Sequence, residues 1–405
     1  MNQPYQSTTR RVVACDGIGS EDLSFRRTSK ARFAETTVLP RCDLPVTVAQ
    51  HAQAIWRSQI IRLLLMLSMA LVVAGGMSPA RAEIWCVSTP GELLAALASA
   101  ADSVESTEIR VRTGTYFLTT RLNYNSASSL QVSGGWQGSP GNCSSRITAP
   151  GQTRLFAAIA NTAVMRVQLP TAGATSVTLT GLEFTAGEST MFGVSACLTV
   201  RAEANSNATV RINGNVFSGC RSENLSGAAL FVDAASASVS VTNNLFFSNT
   251  GSGIVLFNLN GSTTVEYNNN TLSKSFTSAL PSTALNISAN GSNTIRLVNN
   301  VLWGNAHTRD IEAFGSPISM GYNLIETVGS IPPGSVNVAT LSRDPGFVDA
   351  INANFRPRAD SPLRNSGGIP SVQLNVDLDG NSRVLGVRMD RGAYEFQELF
   401  SSGFE

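Results

Sequence analysis

A short segment that recurs through the middle of the chain constrains the fold more than any other feature. Each copy is a β-rich run that leads into Asn or Gly, followed by an apolar pair and a polar turn. The equivalent positions in successive copies are Leu182, Asn215, Asn244, Asn270, Asn300 and Asn323. They lie 33, 29, 26, 30 and 23 residues apart. Recurrence at about 20–50 residues indicates a repeat architecture, and the apolar alternation indicates strands.

One such unit cannot bury its apolar face alone, so the copies are expected to stack as coils of a solenoid. Each strand then pairs in parallel with its copies above and below, at about 4.8 Å. One predicted column of inward side chains contains Phe184, Phe217, Phe246, Leu272, Leu302 and Ile325. The Asn positions fit the bends, because Asn tolerates left-handed backbone and stacked Asn side chains bond along the axis. The pattern predicts an all-β chain folded as a parallel β-helix.

The start of the repeat region carries a helix signal. Thr89 and Glu92 form a capping box, and Pro90 occupies the first helical position. The apolar face of the predicted helix consists of Leu93, Leu94, Leu97 and Ala101. A short amphipathic helix here would cover the exposed apolar end of the solenoid.

An apolar run near the start of the chain predicts export. Leu63–Ala74 follows the basic residues Arg57 and Arg62 and precedes a small-x-small cleavage site that ends at Ala82. These are the three parts of a secretory signal peptide, which we predict at 58–82. The run is shorter than the about 20 residues that a membrane-spanning helix needs, so no transmembrane domain is expected.

The formal net charge of +1 combines a basic leader with an acidic remainder. Residues 1–82 hold ten Lys and Arg against five Asp and Glu, whereas 83–405 hold nineteen against twenty-three. A protein that follows nucleic-acid phosphates needs a basic excess, so a nucleic-acid partner is not expected. Residues 1–57, which precede the signal, are interpreted as an over-extended start, with an unusually long n-region as the alternative.

Four cysteines follow the predicted signal: Cys86, Cys143, Cys197 and Cys220. An exported protein meets an oxidising compartment, so two disulfides are expected. Four cysteines allow three pairings. Proximity in sequence favours Cys86–Cys143 together with Cys197–Cys220.

The end of the chain carries a longer and more specific pattern. It consists of DPGFVDAINANFRPRADSPLRNSG at 344–367 and DLDGNSRVLGVRMDRGAYEF at 377–396. This pattern resembles the C-terminal end of bacterial secreted right-handed parallel β-helix proteins of the pectate-lyase-like superfamily, and it looks like the module called a choice-of-anchor Q domain. The segments at 86–100 and 132–146 are similar to the N-terminal coils of such proteins. The resemblance covers nearly the whole chain beyond the signal and implies a right-handed β-helix.

The resemblance also implies a domain organisation. Residues 83–343 would form the β-helix and 344–396 its C-terminal module, followed by a tail at 397–405. The tail looks like one found on some exported gammaproteobacterial proteins, which implies an extracellular, cell-surface or periplasmic location in a Gram-negative bacterium. The superfamily includes lyases, glycosidases, adhesins and structural proteins, so the fold alone names no reaction.

Two functions stay open, and the missing cluster of acidic residues favours the non-catalytic one. The first is cell-surface attachment or glycan and matrix binding, and the second is a polysaccharide lyase or glycoside hydrolase. For the second, Asp310 and Glu312 are the candidate catalytic residues. They are two residues apart, so in a strand they would share one face, at a separation that suits a glycosidase pair. The alternative is that they belong to a charged, solvated insertion loop.

Candidate ligand-binding residues are equally few. Trp136 and Trp303 adjoin glycines at predicted bends and could stack on a sugar ring of a polysaccharide or cell-surface glycan. Asp377 and Asp379 have the alternating oxygen ligands of a calcium loop, but position 388, where such a loop needs a bidentate Glu, is Arg. We therefore expect no cofactor, with calcium at these two aspartates as the alternative.

Overall fold

The computed structural model describes residues 82–170, 175–204, 207–223, 227–278, 280–372 and 375–397. The chain divides into two units, Met1–Gly76 and Met77–Glu405, and every described residue belongs to the second. The predicted leader at 1–57 lies outside the described residues. So do all but the last residue of the predicted signal at 58–82 and all but the first residue of the predicted tail at 397–405.

Three long sheets contain most of the described strands, and we name them sheets A, B and C. Sheet A contains, in spatial order, β1 (Glu83–Val87), β2 (Thr107–Arg112), β5 (Leu130–Gln137), β9 (Ser176–Thr180), β13 (Thr209–Asn213), β17 (Ser238–Thr242), β20 (Thr264–Asn268), β23 (Thr294–Val298), β26 (Ile318–Gly321) and β28 (Val336–Val338). A short strand, β6 (Ser145–Arg146), pairs antiparallel with β5.

The other two long sheets are parallel throughout. Sheet B contains β3 (Gly114–Leu118), β7 (Thr153–Ala157), β10 (Glu183–Thr185), β14 (Val216–Ser218), β18 (Leu245–Phe247), β21 (Thr271–Ser273), β24 (Val301–Trp303) and β27 (Leu324–Ile325). Sheet C contains β4 (Leu122–Asn125), β8 (Met165–Leu169), β12 (Leu198–Ala202), β16 (Leu230–Ala235), β19 (Gly253–Asn260), β22 (Thr283–Ala289) and β25 (Arg309–Gly315). Two small pairs complete the set: parallel β11 (Glu188–Ser189) with β15 (Arg221–Ser222), and antiparallel β29 (Phe347–Asp349) with β30 (Asn354–Pro357).

From β2 to β27 the chain visits sheets A, B and C in turn, and each complete circuit adds one strand to each sheet. This order is that of a right-handed parallel β-helix, so the predicted fold class is confirmed. Helix α1 (Pro90–Asp102) contacts the strands of the first coils. Its N-cap is Thr89, whose Oγ1 accepts a hydrogen bond from the Glu92 amide at 3.2 Å. The predicted capping helix is therefore present.

The predicted apolar column forms inside sheet B. Phe184, Phe217, Phe246, Leu272, Leu302 and Ile325 are aligned by parallel pairing and all are buried. The rings of Phe184, Phe217 and Phe246 stack with centroids 5.0 and 4.7 Å apart. Stacked columns of this kind bury the apolar face that one coil cannot bury alone.

The predicted Asn ladder forms at the bend between sheets A and B. Asn215, Asn244, Asn270, Asn300 and Asn323 are fully buried, and each of the first four donates its side-chain amide to the next at 3.0–3.2 Å. The left-handed residue of the bend, however, is the one before each ladder Asn. It is glycine in the coils of Leu182 and Asn215 and asparagine in the next three coils. The ladder Asn therefore bridges coils, while its predecessor makes the turn.

Both favoured disulfides are present. Cys86 and Cys143 are bonded, as are Cys197 and Cys220. Cys220 occupies a position in a second, shorter ladder at the end of sheet B, where its amide donates to Asn249 Oδ1 at 3.0 Å. A covalent bond therefore links this bend to the residue that precedes β12.

The described residues of the C-terminal segment, 344–372 and 375–397, lie across the outer face of sheet B. Phe355, Leu378 and Tyr394 pack on Val216 and Leu245 of that face. The left-handed turn residues also bind this segment, through Asn243 to the Val376 carbonyl, Asn269 to the Asp390 carbonyl and Asn299 to the Gly368 carbonyl. Asparagine replaces glycine at the turn in the coils that the segment covers.

Candidate functional site

The outer face of sheet C presents a long and mostly polar surface. Successive side chains of a strand point to opposite faces, so one set of residues fills the core. The inward set is Tyr124, Val167, Val200, Val232, Phe257, Ile287 and Ala313, all buried. The outward set forms two columns, the first being Asn123, Arg166, Thr199, Phe231, Leu256, Asn286 and Glu312. The second column is Asn125, Gln168, Arg201, Asp233, Asn258, Ser288 and Phe314.

The two columns differ in how open they are. The loop at 190–197 covers Thr199, whose Oγ1 accepts a hydrogen bond from the Ser195 amide at 2.8 Å. Phe231 is also buried. The second column is open from Asn125 to Phe314 and presents amide, charged and hydroxyl groups at the coil spacing of about 4.8 Å.

Arginine side chains from three successive coils meet at one end of this face. Arg121 donates from Nε to Asn123 Oδ1 at 2.9 Å, and Arg166 donates from Nη2 to Gln168 Oε1 at 2.9 Å. Parallel pairing places Asn123 beside Arg166, and Gln168 beside Arg201. We call Arg121, Arg166 and Arg201 the arginine row.

The arginine row concentrates positive charge. Burial, together with the charges of Arg201 and Arg121, holds the pKa of the Arg166 guanidinium below its usual value. Among the residues that the structure describes, no carboxylate lies within ion-pair distance of Arg121 or Arg166. Like charges on neighbouring strands repel one another. An anion bound between these guanidinium groups would offset that repulsion.

Arg201 lies at the boundary of the row. Its Nη2 donates to the Gly193 carbonyl at 2.9 Å, and its Nε lies 3.8 Å from Asp233 Oδ2. Asp233 also accepts from Asn258 Nδ2 at 2.9 Å. These bonds fix the guanidinium in place, and the second column continues beyond Asp233 with Asn258, Ser288 and Phe314.

The structure places the two candidate catalytic residues in different surroundings. Asp310 is only 2% exposed, and its carboxylate accepts from Asn305 Nδ2 and from the amide and hydroxyl of Thr327, each at 2.9 Å. Glu312 lies on the outer face, where Arg309 Nη1 donates to it at 3.0 Å and Thr283 Oγ1 at 3.1 Å. The pair does not form one open site, because the alternation of β25 is broken after Arg309 by two consecutive buried residues, Asp310 and Ile311.

The two candidate tryptophans are half-buried. The Trp136 ring lies under the Arg110 guanidinium, 4.4 Å from its carbon, and its Nε1 donates to Ser133 Oγ at 2.8 Å. Trp303 packs against a small apolar cluster with Val301 and Leu324 on the outer face of sheet B. Neither ring lies on the outer face of sheet C.

The carboxylates of the candidate calcium loop already have protein donors. Asp377 accepts from the Asn381 and Glu395 amides, both at 2.8 Å. Asp379 binds Arg356 through two hydrogen bonds of 2.5 and 2.6 Å. Within the described ranges, no group of three or more Asp, Glu, His or Cys residues is placed to hold a metal ion. The loop fits a turn that holds the C-terminal segment together.

A buried ionic cluster lies behind this turn. Arg383 and Glu395 are each 2% exposed in their side chains and lie 3.3 Å apart. Asp390 accepts from the Asn365 amide at 2.6 Å, and its own amide donates to Glu395 at 2.9 Å. Three carboxyl groups (those of Asp377, Asp390 and Glu395) thus share the field of one buried guanidinium.

This cluster predicts a pH dependence of stability. Burial raises the pKa of Glu395 from 4.5 to about 8. A group whose pKa is raised on folding stabilises the fold fully below its unfolded-state pKa, and that contribution is lost as pH rises through the folded-state pKa. We therefore expect the free energy of unfolding, measured by denaturant titration, to fall between about pH 5 and about pH 8.5. Glu395→Gln should flatten this slope, and a slope identical in both proteins would contradict the assignment.

The sequence prediction missed the arginine row. A signal for it exists, because Arg166 and Gln168, like Thr199 and Arg201, alternate with buried valines and leucines in two strands one coil apart. The repeat does not show where the coils at this end begin and end, because the ladder position there is Leu182 rather than Asn. The lateral alignment of the arginines therefore needed the structure.

The described residues include no helix with the length and apolar character needed to cross a bilayer. No family model matches the chain, and no curated protein matches it. Among solved structures, the chain is similar to the PL6 family alginate lyase AlyGC, with 14% identity and a TM-score of 0.22. The match covers 63% of this chain and 40% of the lyase, so the chain spans less than half of that protein's length.

Proposed function

We propose that the protein is an exported, non-catalytic β-helix that binds an acidic polysaccharide along the outer face of sheet C. The observation that supports this most directly is the arginine row, in which Arg166 lies between Arg121 and Arg201 without a carboxylate partner among the described residues. Guanidinium groups bind carboxylates and sulfates with two parallel hydrogen bonds. Asp233, Asn258 and Ser288 in the second column offer further hydrogen bonds to sugar hydroxyls.

Export is part of the same proposal. Two disulfides suit an oxidising compartment outside the cytosol, and the predicted signal at 58–82 supplies a route. A protein in that location meets the acidic polysaccharides of cell surfaces and extracellular matrices. Binding them would attach the protein to the surface.

The first test is binding of oligogalacturonate to the full chain, measured by titration calorimetry. Arg166→Gln is expected to weaken binding about tenfold, because one charge-assisted hydrogen bond contributes about 1.5–3 kcal/mol. Arg211→Gln is the matched control, since Arg211 is exposed on sheet A and bonded only to Ser176 Oγ among the described residues. Equal losses in both variants, or equal binding of neutral dextran, would contradict the proposal.

A polysaccharide lyase is the second candidate, and one observation favours it. The lowered pKa of Arg166 is the direction that a base needs to remove the proton beside a uronate carboxylate. The same mixtures, incubated for hours, separate the two functions. The non-catalytic proposal predicts no absorbance from unsaturated uronate, whereas product formation that disappears in Arg166→Gln would establish the lyase.

A further inference from the structure

The loop at 190–197 holds two large apolar side chains in solvent. Phe192 is 82% exposed and Met191 is 62% exposed. The loop is nevertheless fixed by its own hydrogen bonds, with Ser189 Oγ donating to the Val194 carbonyl at 2.9 Å and the Val194 amide donating to the Met191 carbonyl at 3.3 Å. Two adjacent large apolar side chains on a hydrogen-bonded loop form a small exposed apolar patch, which makes them candidates for a ligand contact.

The loop is also tied to the arginine row. Arg201 Nη2 donates to the carbonyl of Gly193, the residue directly after Phe192. Gly193 has φ +74°, a left-handed conformation, and a Cβ there would lie 2.7 Å from the same guanidinium nitrogen. Glycine therefore lets Arg201 approach the backbone beside Phe192. The aromatic ring and the guanidinium are held by one hydrogen-bonded unit.

We propose that Phe192 is the sugar-stacking and specificity-determining residue of the polysaccharide site. The inference rests on the proposed function and narrows its ligand to chains of acidic pyranose rings. Arg201 and Arg166 would bind the acid group of a ring, while Phe192 packs against the apolar C–H face of that ring or its neighbour. A flexible polyanion without rings would use the arginines alone.

The chemistry of this surface favours this ligand over other polyanions. Nucleic acid is disfavoured because the described face beyond the row carries the acids Asp233 and Glu312, and its cation Arg309 is paired with Glu312. An acidic polypeptide offers carboxylates but no rigid ring face. A pyranose chain presents both an acid group and an apolar ring face at a repeat that several coils can follow.

The test compares three probes on the full chain: oligogalacturonate, dextran sulfate and poly-glutamate. Phe192→Ala is expected to weaken binding of oligogalacturonate about three- to tenfold, while Phe192→Trp retains it. Dextran sulfate carries sulfate on a pyranose ring, so Phe192→Ala should weaken its binding in the same way if the site accepts sulfate as well as carboxylate. Poly-glutamate has no ring, so its binding should be unchanged in Phe192→Ala. Phe117→Ala is the matched control, because Phe117 is 59% exposed on sheet B.

The possible results separate this inference from the function on which it rests. If the unmodified chain binds none of the sugar probes, the proposed function fails and this inference fails with it. If it binds oligogalacturonate and Phe192→Ala binds equally well, the function stands and the role of Phe192 is overturned. Equal losses for oligogalacturonate and poly-glutamate would also overturn it, because they would show a general effect on the arginine row.

Discussion

Asn270→Ala is expected to lower the free energy of unfolding by about 2–6 kcal/mol, since it leaves two buried main-chain groups without partners at about 1–3 kcal/mol each. Asn270 Nδ2 donates to the Val241 carbonyl at 2.8 Å, and its Oδ1 accepts from the Asn244 amide at 3.0 Å. The same side chain also bonds to Asn300 Oδ1 at 3.1 Å. Three coils therefore lose a connection through one substitution.

Asn290→Ala is the control for this prediction. Asn290 is exposed in a turn between sheets C and A, so its side chain adds little to stability. Denaturant titration of both variants, followed by far-ultraviolet circular dichroism, measures the difference. Similar midpoints for the two would mean that the ladder contributes nothing beyond an ordinary surface amide.

Arg383→Met is expected to cost about 3–5 kcal/mol, because it leaves buried carboxylates without their cation. Arg383 is enclosed by the C-terminal segment and lies 3.3 Å from Glu395. Burial raises the pKa values of Asp377 and Asp390, and the charge of Arg383 lowers them. Loss of Arg383 should therefore raise both pKa values further. The segment should then detach from sheet B at lower denaturant than the coils unfold.

Two further variants make this measurement specific. Arg358→Met removes an exposed ion pair with Asp360 on the same segment and should cost no more than about 1 kcal/mol. Adding Glu395→Leu to Arg383→Met removes one of the three buried carboxyl groups and should recover part of the loss. A double variant as unstable as Arg383→Met would show that packing, rather than unpaired charge, sets the cost.

The regular part of the fold could be predicted because six copies of the repeat carry the same pattern of strands and bend residues. The stacked phenylalanines, the Asn ladder, the capping helix and both disulfides follow from local spacing. The two residues of each Asn-Asn pair have different roles, which the sequence prediction did not distinguish. In Asn243-Asn244 and Asn299-Asn300 the second residue bridges coils, whereas the first turns the chain and binds the C-terminal segment.

The candidate site was less predictable for a physical reason. Coils of unequal length leave the lateral alignment of sheet C undefined, so the proximity of Arg166 to Arg201 cannot be seen in the sequence. The expected shared face of Asp310 and Glu312 assumed a regular strand from its first residue. Asp310 is instead buried and accepts a hydrogen bond from Asn305 Nδ2.

Arginine footprinting is the direct test of acidic-polysaccharide binding along the outer face of sheet C. Phenylglyoxal modification of the full chain, with and without saturating oligogalacturonate, reports on each guanidinium by mass spectrometry. If the polysaccharide binds the arginine row, it slows modification of Arg121, Arg166 and Arg201 and leaves that of exposed Arg211 unchanged. Protection of Arg211 with an unprotected arginine row would contradict this prediction.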